Sequence, residues 1–426
     1  MKPRKFLAPA AAAAVLALAL TACGGGSSSG GSGGGDAASQ NMDGRGPITF
    51  VSGKDNSGVW QPTIDRWNAA HPNEKVTLKE QTDQADQQHD DLVQHFQAQQ
   101  SDYDVVTVDV VWSAEFAAKG WLQPLKDKMA VDTAKLLPAT VKAATYNGTA
   151  YAVPISSDGG LLYYRKDLVP NPPKTWDEMM GMCSIAKAHD MGCYAGQYSK
   201  YEGLTVNAAE AINTFGGKIV DDQGKAVVNS AEAKTGLGKL VDAFKSGNIA
   251  KQALTYQEEQ GRKAFEDGKL LFLRNWPYVY NLAKTDGAST VKDTFGVAPL
   301  PGMSGPGASS LGGHSAAVSV YSKNKATAHD FAQWLIQDEQ QKFFALKGSL
   351  APVASALYTD SDIVSKLPYM PTLLTSIQNA VPRPVTPYYP AVTKAVQDNA
   401  YAALQGDKSV DQAVSDMQAA IDAAGH

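Results

Sequence analysis

Short apolar and β-branched runs alternate along the chain with stretches whose apolar residues recur every three or four positions. Residues 47–52 (PITFVS) read as a strand, and Trp60, Ile64 and Trp67 mark a helix over 60–70 that stops at His71-Pro72. A second strand follows at 76–80, then a polar helix over 84–99 with Leu92, Val93 and Phe96 on one face. Residues 104–112 form a continuous apolar strand, as expected where both sheet faces are covered, broken by Asp109 near its carboxyl end. This βαβαβ order predicts a parallel sheet with right-handed crossovers.

Farther on, Tyr151–Pro154 and Leu161–Tyr164 read as strands separated by small residues, Ser156 to Gly160, which give the chain hinge-like freedom. Thr175, with Glu178 three residues on, predicts a capping box. Helices dominate from there to about 285. Strands are expected at 295–300 and 315–321 around a Gly-rich loop, 301–313, with helices over 326–344 and after 390. No fixed repeat occurs, so a solenoid is excluded.

The 426 residues are 43% apolar and 19% charged, which is globular composition and excludes long disorder or a polytopic membrane protein. The formal charge of −5, with no basic stripe, argues against binding nucleic acid through charge.

The first 46 residues read as an address. Lys2, Arg4 and Lys5 precede an Ala/Leu/Val run over 7–20, and Leu20-Thr21-Ala22-Cys23 resembles a bacterial lipobox. Residues 1–22 are therefore expected to be a lipoprotein signal peptide. Cys23 would carry the lipid, and 23–46 a Gly/Ser tether at the extracytoplasmic face of the cell membrane. Cys183 and Cys193 then lie in a compartment that permits a disulfide. That bond is expected; the alternatives are two free buried thiols or a metal site, for which His189 alone supplies too few ligands.

Several segments, in order over most of the chain, resemble one family. VPISSDGGLLYYRKDLVPNPPKTWDEM, FEDGKLLFLRNWPYVY, FGVAPLPG and SVYSKNKATAHDFAQWLIQDEQQKFF are similar to the bacterial maltodextrin-binding type of extracellular solute-binding protein. VDVVWSAEF, YEGLTVN, RNWPYVY and RPVTPYYP resemble its trehalose/maltose-binding branch. The resemblance implies an α/β, two-lobed periplasmic-binding-protein fold. Each lobe would be a mainly parallel sheet flanked by helices, the two joined by three hinge crossings near 156–158, 292–296 and 350–355. Lobe one would be 47–157 plus 295–350, and lobe two 158–294 plus 351–426.

The implied function is capture of an α-linked disaccharide by lobe closure and delivery to an ABC permease. The chain would be a monomer that touches the membrane only through its lipid, with no cofactor. Such a site needs carboxylates and Arg for paired hydroxyls and aromatic rings for the apolar sugar faces. By resemblance, Asp109 and Asp158 are expected to contact the ligand, each with a structural alternative as a cap. Tyr201 is favoured over its neighbour Glu202. Glu258 resembles a cleft-facing acid, with Glu259 as the other register. Trp276 is the expected stacking platform. Gly313 and His314 lie on the Gly-rich loop, where many members carry an aromatic and His314 departs from the pattern. Arg383, between two prolines, suits a bidentate contact. Asp55 and Glu80 follow the first two strands at their carboxyl ends, where a solvated loop explains them equally well.

Cleft acids alone leave a glycoside hydrolase open, but no GxSxG, HExxH or phosphate-loop motif supports an enzyme. A same-fold lipoprotein for another oligosaccharide, a polyamine or a compatible solute is the other alternative.

Overall fold

Asp104 orders the first sheet before any long-range packing is counted. Its Oδ2 accepts the Thr49 N–H at 2.9 Å, its Oδ1 accepts the Ser322 hydroxyl, and its backbone carbonyl accepts the Ser319 N–H. The computed structural model describes residues 41–221 and 223–425. The signal peptide, the Cys23 lipidation site and the tether up to residue 40 lie outside the described residues. Among the described residues no helix is long and apolar enough to cross a membrane, and no group of His, Cys, Asp or Glu is arranged to hold a metal.

Strands β1 (Ile48–Ser52), β2 (Val76–Glu80) and β3 (Val105–Asp109) run parallel, joined by the helices Trp60–Ala70 and Ala85–Gln97. Strand β3 is shorter than its apolar run suggested. Asp109 is its last residue, and its carbonyl accepts the Trp112 N–H to turn the chain into the helix Ser113–Ala118. A hairpin of β4 (Thr145–Tyr146) and β5 (Thr149–Ala150) precedes β6 (Val153–Pro154) and β7 (Asp158–Gly159). Strands β8 (Leu161–Arg165), β9 (Gly192–Ala195), β10 (Leu270–Asn275) and β11 (Phe295–Pro299) follow. Last come β12 (Ser309–Gly312), β13 (His314–Val318) and β14 (Ala380–Val381).

The first sheet has the order β2-β1-β3-β13-β6 and the second β11-β8-β10-β9, with a third strip β14-β12-β7. In each sheet one strand is reversed against neighbours that otherwise share a direction. Strand β13 runs against β3 and β6, and β8 runs against β10 and β11. One correction concerns β11, expected with the first lobe: all five of its residues pair with β8 of the second sheet.

Aromatic edges fill the core of the first sheet. Phe50 meets Trp60 and Phe331 at centroid distances of 5.2 and 5.4 Å, and Trp67 meets Phe331 at 5.3 Å. Behind the second sheet, Tyr163, Phe265 and Phe295 pack together. The Thr175–Glu178 capping box is present, and Cys183 and Cys193 are joined by a disulfide with Cα atoms 5.1 Å apart.

Candidate functional site

A cleft of about 240 Å³ opens where the carboxyl ends of β1 and β3, the strip β7–β12 and the turn after β10 converge. Ligands in α/β folds sit outside the carboxyl ends of strands, so the location follows from topology. Asp55, Asp109, Asp158, Tyr201, Glu258, Trp276, Gly313, His314 and Arg383 line it, although they span more than three hundred positions of sequence. Glu80 does not. It is exposed at the end of an edge strand, and its Oε1 accepts the Asp55 N–H at 2.9 Å.

Asp55 is a cap as well as a wall. Its Oδ2 accepts the Trp60 N–H at 2.7 Å, and its Oδ1 accepts from Ser57 Oγ and Gly58 N. Those bonds fix the start of the helix Trp60–Ala70 and occupy both of its oxygens.

Asp109 and His314 face each other in register on β3 and β13. Asp109 Oδ1 accepts the Val111 N–H at 3.1 Å and Arg383 Nη2 at 2.9 Å. It therefore closes a turn and also lines the cleft. Burial pushes the His314 imidazole down despite the nearby Asp109, which keeps it neutral. Gly313 has φ +111, and a Cβ there would lie 2.3 Å from the Ser156 carbonyl oxygen, so only glycine fits.

Arg383 is 3% exposed and holds Asp109 through Nη2 and Glu202 through Nη1. Burial opposes its charge, but Asp109, Tyr389 and Glu202 outweigh this and push its pKa up. Its Nε–H has no acceptor among the described residues. Glu202 also accepts from Tyr389 Oη and Thr393 Oγ1, so it is fully engaged beneath the cleft.

Trp276 follows β10. The Arg274 guanidinium carbon lies 3.8 Å from its ring centroid. Arg274 is wholly buried and is held by Glu210 and Gln197, with its Nε 2.8 Å from Glu210 Oε2. Gly312 leaves room for the indole, because a Cβ there would stand 2.9 Å from the ring. Reading the motif identified Trp276 but passed over Arg274, Glu210 and Gln197. An Arg near the end of an otherwise apolar strand, two residues before that Trp, was the available signal.

Tyr201 donates its hydroxyl to Glu258 Oε2 at 2.7 Å. Burial pushes the Glu258 carboxyl up, partly offset by that hydroxyl. Burial would also raise Glu259, but Arg262 and Tyr278 hold it below the usual range. Asp158, unlike Glu258, has no hydrogen-bond donor to its carboxylate among the described residues. Burial and the nearby Asp109 push it up to about 7, against a lowering by Arg274.

The profile of the bacterial extracellular solute-binding proteins matches residues 52–342. The chain belongs to that family. This solute-binding protein is 36% identical over 307 residues to a probable ABC transporter-binding protein of Deinococcus radiodurans, covering 69% of this chain and 72% of the relative. It is 26% identical over 349 residues to a mannitol-binding protein of Pseudomonas aeruginosa, covering 74% and 79%. Maltose-bound MalE3 of T. maritima superimposes with a TM-score of 0.83 at 33% identity, covering 88% of this chain and 98% of that one. The solute-binding protein thus has the two-lobed periplasmic-binding-protein fold and acts outside the cytoplasm as the solute-binding component of an ABC transporter. It is a binding protein, not an enzyme.

Proposed function

We propose that the solute is an α-linked disaccharide of the trehalose or maltose type, held between the lobes and passed to the permease when they open. The observation that carries this is Trp276, an aromatic ring braced from behind by Arg274 and sharing the cleft with the acids Asp158 and Glu258. A sugar ring offers C–H groups to such a face and hydroxyl donors to Asp158 and Glu258. Its hydroxyl oxygens suit the remaining Arg383 Nε–H. Likeness to a maltose-bound protein supports an α-glucoside. Asp109, Tyr201, Gly313 and His314 would complete the contact surface, and Asp55 would shape its rim.

We further propose that the chain works as a monomer anchored by a lipid on Cys23. The lobes would divide near 157, between Pro299 and β12, and near 351. Titration calorimetry with trehalose, maltose, sucrose, maltotriose and mannitol tests the reading. Tight binding of an α-glucoside supports it, and binding of mannitol alone replaces it with a polyol.

A further inference from the structure

The helix Glu202–Thr214 has no side-chain cap of its own. Its N-cap residue, Tyr201, spends its hydroxyl on Glu258. The Glu202 N–H instead donates to Asp86 Oδ1 at 3.1 Å. Asp86 sits in the first turn of the helix Ala85–Gln97, which connects β2 to β3 of the first sheet. Glu202 begins a helix that follows β9 of the second sheet. The other Asp86 oxygen, Oδ2, accepts from Gln397 Nε2 at 3.4 Å, on the helix Tyr389–Gln405. Gln397 also donates to Thr393 Oγ1, and that hydroxyl donates to Glu202. Asp83 and Ala85 line the cleft, whereas Asp86 does not.

We infer that Asp86 is a positioning residue for solute capture, a carboxylate of one lobe that caps a helix of the other and so favours closure. The helix end carries partial positive charge and unsatisfied N–H groups, so an acid placed there is stabilising. The contact exists only while the lobes are close. It therefore differs between open and closed states and shifts their balance by its own worth. Because the closed state grips the solute, losing a cap of ordinary strength should weaken binding about fivefold. The inference rests on the lobes closing over a solute, but not on which solute it is.

The test compares Asp86→Ala and Asp86→Asn with the wild type. Calorimetry with maltose, trehalose and mannitol should show about fivefold weaker binding for the Ala variant and partial recovery for Asn, whose side-chain carbonyl still accepts the Glu202 N–H. The sugar-free melting temperature should not change. Equal affinity overturns the inference, and so does a sugar-free melting temperature that falls enough to account for the lost affinity. Should none of the three sugars bind the wild type, the α-glucoside reading fails by itself. The fraction of closed molecules without sugar, read by paramagnetic relaxation between labels on the two lobes, then decides the role of Asp86: an about fivefold smaller closed fraction in the Ala variant supports it, and an unchanged fraction overturns it.

Discussion

Arg383 Nη2 donates to Asp109 Oδ1 at 2.9 Å, joining the segment after β14 to the last residue of β3. The guanidinium also holds Glu202, so it neutralises two carboxylates at the floor of the cleft. Removing it leaves the buried Glu202 carboxylate without its cation. Arg383→Ala should therefore destabilise the sugar-free protein by about 3–5 kcal/mol, in addition to any loss of binding. Chemical denaturation without sugar measures this. An unchanged midpoint would make Arg383 a ligand contact alone.

Trp276 is half-buried and rests against Arg274. Trp276→Ala should weaken sugar binding by more than about 1 kcal/mol through lost stacking, with a smaller effect on folding. Arg274→Ala should do the reverse first, since it strands the buried Glu210 carboxylate and lowers the melting temperature with or without sugar. Calorimetry and thermal melts on both variants separate the two roles. Full sugar affinity in Trp276→Ala would remove that ring from the site.

Glu258 and Glu259 are adjacent but are held differently. Glu259 is tied to Arg262 and Tyr278, whereas Glu258 receives the Tyr201 hydroxyl beside the cleft. Glu258→Gln should raise the sugar Kd while leaving the melting temperature nearly unchanged. Glu259→Gln should lower the melting temperature and leave the Kd nearly unchanged. The opposite pattern would show that the register had been assigned the wrong way round.

Asp158 provides a pH signature. Its carboxyl is pushed up to about 7 in the folded chain, from an ordinary value of 3.8. The folded state then binds a proton that the unfolded chain has released. This contribution to stability is whole below the ordinary value and is lost as pH rises through about 7. Sugar-free melts from about pH 5 to 8 should fall more steeply for wild type than for Asp158→Asn, which carries no titrating carboxyl there. Parallel curves would contradict the burial of that group. A sugar hydroxyl donating to the ionised carboxylate would favour the charged form. Binding near neutral pH should then release protons, which calorimetry in buffers of different ionisation enthalpy detects.

Several features were legible because their causes are local. The helix Trp60–Ala70 follows from the spacing of Trp60, Ile64 and Trp67, and the Thr175–Glu178 box from residues three apart. Asp109 could be placed at the carboxyl end of a strand because a charged residue ends an otherwise apolar run. Glu80 looked equivalent at the end of β2. That strand is at the edge of its sheet and exposed there, so its last side chain turns to the Asp55 backbone rather than to the cleft. The direction of β13 and the sheet that receives β11 were not legible. Strand pairing is decided by partners more than a hundred residues away, and alternation along one strand does not name its neighbour.

By itself the sequence determined the class of fold, the order of its elements, and which residue types are available to meet a sugar. Those depend on periodicity, caps and composition, which act over a few positions. Only the tertiary structure decided which acids are already satisfied and which remain open. Arg383 is 274 positions from Asp109 and 181 from Glu202, and Arg274 is 64 from Glu210. A carboxylate's chemistry depends on the cation or donor that folding brings to it, and no local pattern carries that information.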